Sequence, residues 1–372
     1  MNDSSPIISS RSFAVLVTFF MVGTSILIAP APIAADAKQD AWLACFFGVL
    51  LNLVLVLMYI WLGGRQGRNT LTGYCEQVLG RWFGKAVALL FVAFFFLLAA
   101  LMIGDLGQFL TSQSYPETPI EVLMLFFASA IVIAVRAGLP VFTRASEVFF
   151  PWMIILFLLL VIPIFPKIDT DYLRPMLENG FLPVLGGAYN FYGLQELVVM
   201  LMIYPHVREA HKKGKAFVVG VLVGGTMLLL TTIGSIVLIG PALSANEMFP
   251  AYSMAKNTNI GHFFQRIEGI MMMIWVLSIF FKVSITFYAA MTGFAQAFDI
   301  KDNKSYVVPM GLGLVILALL CYPNPIYVQL FLDRTWPPLA LVFSLLLPAF
   351  LLGASYMPWV RKKQKANRQK AN

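Results

Sequence analysis

Ten runs of roughly 20 apolar residues, each long enough to cross the hydrocarbon core of a bilayer as a helix, constrain this chain more than any other feature. They cover 13–32, 42–62, 86–110, 119–136, 145–165, 181–204, 216–240, 266–298, 306–322 and 336–357. Charge, Pro or Gly separates each run from the next, as at Arg65-Gln66-Gly67-Arg68-Asn69 and His211-Lys212-Lys213-Gly214-Lys215. With 59% hydrophobic and 12% charged residues, the chain has too little polar surface to cover a globule in water. The expected fold class is an all-α polytopic membrane protein of about ten transmembrane helices, forming a single transmembrane domain over 1–372.

The loops set the orientation. Counted alternately by side, nineteen Lys and Arg fall on the side of the termini and six on the other, with Lys282 inside a span. Basic residues near span ends are retained in the cytoplasm, so both termini are expected there. The net charge of +8 therefore reads as membrane orientation and contact with lipid, not as a nucleic-acid partner, and the basic tail 358–372 as an anchor at an anionic leaflet. Ala34-Ala35-Asp36-Ala37 has the small residues of a signal cleavage site, but the run ahead of it is longer than a signal's and carries one basic residue before it, so a retained span is expected. Within 70–83, Leu71, Tyr74, Cys75, Val78, Leu79 and Trp82 have the spacing of an amphipathic helix lying along the cytoplasmic interface.

Two spans are spoiled as helices. Gly23-Thr24-Ser25 sits in the middle of the first, ahead of Pro30 and Pro32; Pro183, Gly186, Gly187 and Gly193 interrupt the sixth, interleaved with Tyr189, Asn190, Gln195 and Glu196. Lipid tolerates no unpaired backbone, so such a break must line a cavity or be buried in protein. One such span reads as close helix packing. Two in matching positions read as the inverted five-plus-five plan of secondary transporters, with repeats at about 13–165 and 181–357. A helix that stops at mid-membrane turns N–H groups toward one side and C=O groups toward the other, which suits an anionic group and a cation respectively.

Lys282 lies near the middle of the eighth span on a stripe of small and polar residues, Ser278, Thr286, Ala289 and Gly293. A cation there costs at least about 2.5–3.5 kcal/mol on insertion scales. It can carry a proton, stand in for a bound sodium ion, or form a structural ion pair, with Glu196 the first partner and Asp105 on the third span the second. Lys282, Glu196 and Asp105 are thus the candidate proton or cation site. Glu196 shares the face of Gly186, Tyr189, Asn190 and Gly193 that the break turns inward. His206, His211 and His262 all fall in loops, no hydrolase or phosphate-loop motif occurs, and Cys45, Cys75 and Cys321 lack metal or disulfide spacing. No enzyme, cofactor or metal site is expected.

Several segments resemble, in order, the B-subunit (GerAB-like) family of spore germination permeases. Ser25-Ile26-Leu27-Ile28-Ala29-Pro30 is followed by Gln39-Asp40-Ala41-Trp42, then by Leu79-Gly80-Arg81-Trp82-Phe83-Gly84 and Arg136-Ala137-Gly138 with Arg144, Glu147 and Pro151. Arg266-Ile267-Glu268 and the Lys282 span with Tyr288 complete the set. The resemblance implies the LeuT-like fold of the amino acid–polyamine–organocation superfamily in the inner membrane of a bacterial spore. It also implies an A-type membrane subunit and a C-type lipoprotein as partners, and a small-molecule nutrient germinant, often an amino acid. Gly23, Thr24 and Ser25 match the broken first helix that holds a carboxylate in permeases, although permeases end that triplet in Gly or Ala. The expected ligand residues are Gly23, Thr24, Ser25, Tyr189, Asn190, Gly193, Glu196, Thr286 and Tyr288. Germinant recognition is the first functional reading; a proton-coupled amino acid permease is the alternative, and a passive conduit a weaker third.

Overall fold

Without water to pair with, each apolar run must satisfy its backbone internally, and it does so as helix. The computed structural model describes residues 7–167, 170–258, 267–300 and 304–357. The tail 358–372, Lys301, His262 and Arg266 lie outside the described residues. The first span is α1 (Ser10–Val22), a break at Gly23-Thr24, then α2 (Ser25–Ile28) and α3 (Pro30–Ala37). After a turn at Lys38 come α4 (Ala41–Gln66), the short α5 (Leu71–Leu79) and α6 (Arg81–Gln113). The first half closes with α7 (Ile120–Ala137) and α8 (Leu139–Val161).

The sixth span is α9 (Leu182–Gly193), a non-helical stretch, and a 3₁₀ segment over Leu197–Met202. It is followed by α10 (Lys213–Asn246), α11 (Pro250–Asn257), α12 (Ile267–Ala297), α13 (Lys304–Cys321) and α14 (Pro325–Arg334). The last span is α15 (Trp336–Leu341), a π turn over Val342–Leu346, and α16 (Leu347–Ala354). Nine helices among the described residues are long and apolar enough to cross a membrane. The sixth expected span is missing from that count because it is in two pieces.

Local chemistry sets the boundaries. The helix expected over 70–83 stops at Leu79, since Gly80 takes φ +88°, and Arg81-Trp82-Phe83 open α6 instead. Thr70 caps its start by accepting from the Gly73 N–H. Leu71, Tyr74, Cys75 and Val78 are buried against the bundle while Trp82 is exposed. In the last span, Pro348 has no N–H to give the carbonyl four residues back. That carbonyl, Ser344 O, takes the Tyr59 hydroxyl of α4 instead.

Burial sorts inner from outer helices. α6 and α12 are mostly buried, as is the first span, whereas α7 and α8 are buried over only about a fifth of their most apolar stretch and turn outward. α1 is packed against α10, where a Cβ on Gly220 or Gly224 would come within 2.6 Å of Val17 or Met21. This is the close approach that small residues allow between membrane helices. The stretch ahead of α1 is tied to the turn after the sixth span: Ile7 and Ile8 N–H both donate to His206 O, at 2.8 and 3.1 Å, and Arg208 N–H returns to Ile8 O. Ser10 N–H donates to the Glu209 carboxylate at 2.7 Å. Cys45, Cys75 and Cys321 are free thiols.

Candidate functional site

The two breaks meet at the centre of the molecule. At Gly23 the backbone leaves the helix with φ 7° and ψ −114°, and a Cβ there would sit 2.3 Å from the Lys282 Cδ. Glycine is required because the lysine stem crosses α1 at this point. In the sixth span the chain passes through Leu194 and Gln195 to Glu196, which holds the left-handed conformation (φ 35°, ψ 37°). This exposes carbonyls that an unbroken helix would have paired.

Side chains from two other spans, and Ser25 of the first, take those carbonyls. Trp336 Nε1 of α15 donates to Gly193 O at 3.0 Å, and Ser278 Oγ of α12 donates to Gly23 O at 3.3 Å. Leu194 O accepts from Ser25 Oγ at 3.2 Å and from Lys282 Nζ at 3.0 Å. Lys282 completes its set with Thr24 Oγ1 at 3.1 Å and Glu196 Oε2 at 3.0 Å. Two hydrogen bonds and one ion pair thus hold the ammonium. The other Glu196 oxygen accepts from Trp336 Nε1 at 3.2 Å, and Gln195 Nε2 donates to Ser25 Oγ at 3.1 Å.

The ion pair is buried: Lys282 is 0% and Glu196 4% exposed. A buried pair holds together only when further hydrogen bonds support it; the breaks supply Thr24 and Leu194 O to the lysine, and α15 supplies Trp336 to the glutamate. Of the two partners expected for Lys282, the structure brings Glu196 to it. Asp105 stands apart on α6, where its Oδ1 accepts the Tyr322 hydroxyl.

Next to this cluster lies a cavity of about 190 Å³. Ile28, Ala31 and Pro32 of the first span line it, together with Asp105 of α6, Trp336 of α15 and Leu332 of α14. Trp336 and Leu194 belong to both cluster and cavity.

Of the expected ligand residues, Asn190 lines the cavity and donates to Asp36 at 2.9 Å. Gly23, Thr24, Ser25, Gly193 and Glu196 form the cluster behind it. Thr286 is buried one turn along α12 and turns its hydroxyl to its own helix, on Lys282 O at 2.8 Å. Tyr189 is exposed and lies beside Tyr192, and Tyr288 is stacked edge-on against Phe142 of α8; neither reaches the cavity. Sequence reasoning missed Trp336 and Tyr322, and it missed α14, which lines the cavity through Val328, Gln329, Leu332 and Asp333. Trp336 opens an apolar run, where tryptophan ordinarily marks the membrane interface, so its sequence position carried no signal of a central role.

Two helices broken at mid-membrane and packed against an eighth span define the architecture of LeuT-fold transporters, and the solved structures agree. Mhp1, described as a nucleobase-cation-symport-1 family transporter in a closed conformation with bromovinylhydantoin bound, superposes with a TM-score of 0.71 at 12% identity, over 95% of this chain and 79% of its own. MhsT in complex with L-phenylalanine gives 0.67 at 14% identity, over 97% and 95%. The sequence is 27% identical to spore germination protein KB of Bacillus subtilis (strain 168), over 97% of both chains. The model of the spore permease family, described as spore germination protein, matches residues 7–326. The chain belongs to that family.

Proposed function

We propose that this chain is the nutrient-recognition subunit of a spore germination receptor, binding a small molecule, an amino acid first among the candidates, at mid-membrane between the broken helices. The observation that carries this reading is an open cavity set against breaks that are already closed. The carbonyls freed at Gly23, Gly193 and Leu194 are taken by Ser278, Trp336, Ser25 and Lys282, while the cavity beside them has about 190 Å³ free. An engineered 150 Å³ cavity takes benzene, so a small nutrient fits. A ligand in contact with Trp336 or Leu194 touches residues bonded to Glu196 and Lys282. It therefore biases the arrangement of both breaks by its differential affinity for their alternative packings.

In this reading both termini are cytoplasmic, the membrane is the spore's inner one, and an A-type membrane subunit and a C-type lipoprotein transmit the change. The alternative, a proton-coupled amino acid permease, draws on the same three buried ionisable groups, Lys282, Glu196 and Asp105. The test is equilibrium binding of a radiolabelled amino acid panel, with a hexose and a nucleoside, to purified wild type and Ala31→Trp, which fills the cavity from α3. Loss of binding in the variant with folding retained is expected. Undiminished binding would remove the cavity as the ligand site.

A further inference from the structure

The cavity described above is unbalanced in charge. Asp105, Glu247 and Asp333 line it, and no Lys, Arg or His is among its described lining residues. Lys282 is not part of the lining, and its ammonium is held by hydrogen bonds to Thr24 and Leu194 and by the ion pair with Glu196. Charge within the inner cluster is therefore balanced between Lys282 and Glu196, and Asp105 is left over.

Asp105 is the informative member. It is only 7% exposed, so its carboxylate has little access to bulk water. Oδ1 accepts the Tyr322 hydroxyl, whereas Oδ2 has no hydrogen-bond partner among the described residues although the side chain lines the cavity. Trp336 bounds the same space, with its ring stacked on Phe94 at 5.7 Å. An acid with a free oxygen beside an aromatic wall suits an organic cation.

We infer that the ligand enters this cavity through a cationic nitrogen, an ammonium group held by Asp105, and that a free carboxylate on the ligand has no partner there. The inference rests on the cavity being the ligand site and adds the chemical class that the site selects. Amines, and amino acids whose carboxylate is capped, are accordingly preferred to neutral or anionic molecules of the same shape. Glu247 and Asp333, the other acids of the lining, raise the local concentration of cations.

The test uses the purified full-length protein and three molecules of one shape, n-butylammonium, 1-butanol and butyrate, with thermal stabilisation and calorimetric binding as readouts. Wild type is expected to bind the ammonium and neither isostere. In Asp105→Asn, which keeps the shape and an acceptor for Tyr322, ammonium binding falls by roughly tenfold or more, the range for a charged hydrogen bond. Equal binding of the alcohol or the carboxylate by wild type overturns the inference without recourse to any variant. So do an absence of ammonium binding, an undiminished affinity in Asp105→Asn, and equal stabilisation by sodium or potassium chloride, which would assign Asp105 to an inorganic ion. Ala31→Trp separates this from the wider reading: if it abolishes nutrient binding while charge selectivity is absent, the cavity stands as the ligand site and only its cation preference falls.

Discussion

At the scale of single residues, the Lys282–Glu196 pair holds the two breaks together. Removing one partner of a buried pair leaves the other uncompensated, at about 3–5 kcal/mol. Lys282→Met is accordingly expected to lower thermal stability in detergent by that order, and Lys282→Met with Glu196→Gln to recover most of the loss, because glutamine still accepts from Trp336. Equal stability of the two variants would mean that the pair contributes nothing beyond its shape. Both residues were legible in the sequence because a charge inside an apolar run is costly, so it stands out and implies a partner. Asp105 was legible as a charge but not as a cavity wall. Its setting depends on Tyr322, the last residue of the run 306–322, and on α14, which lies outside every apolar run, and run length carries no information about which residues line a site.

At the scale of elements, helix existence followed from hydrophobic length and the two breaks from Gly and Pro, whereas the ends were set by local chemistry that length does not encode. Gly80 and Pro348 are the instances: one cuts a helix short, the other opens a π turn. The seal between the stretch ahead of α1 and the turn after the sixth span was not legible at all, since it pairs Ile7 and Ile8 with a backbone carbonyl nearly 200 positions away. It has a titratable member beyond the span's end, His206, which is 6% exposed with its Nδ1 unpartnered. Burial pushes its imidazole from 6.5 down to about 4. The unfolded chain therefore takes the proton more readily than the folded one, so this contribution is fully present above about pH 6.5 and is lost as pH falls toward 4. The whole difference is about 3 kcal/mol. Thermal unfolding from pH 7 to pH 4.5 should show a steeper loss in wild type than in His206→Gln; parallel curves would exclude the seal as the acid-sensitive element.

At the scale of the whole molecule, the orientation of the bundle decides from which side the cavity is reached. The positive-inside count puts Lys212 with the termini in the cytoplasm and Lys38 opposite. With Cys321 replaced, the natural Cys45 and Cys75 are buried, so cysteines introduced at these two positions report orientation directly. Lys38→Cys is expected to react with an impermeant maleimide from outside intact cells, and Lys212→Cys only after permeabilisation; the reverse pattern would invert the topology. A ligand on this fold acts either by being carried across or by holding one arrangement of the breaks, and the same cavity serves both. The measurement that separates them is uptake of the labelled nutrient that binds the purified chain, in proteoliposomes with and without an inward proton gradient. A germinant sensor predicts saturable binding with no accumulation above equilibrium in either condition. Gradient-driven accumulation that disappears in Lys282→Ala would contradict it and make the chain a permease.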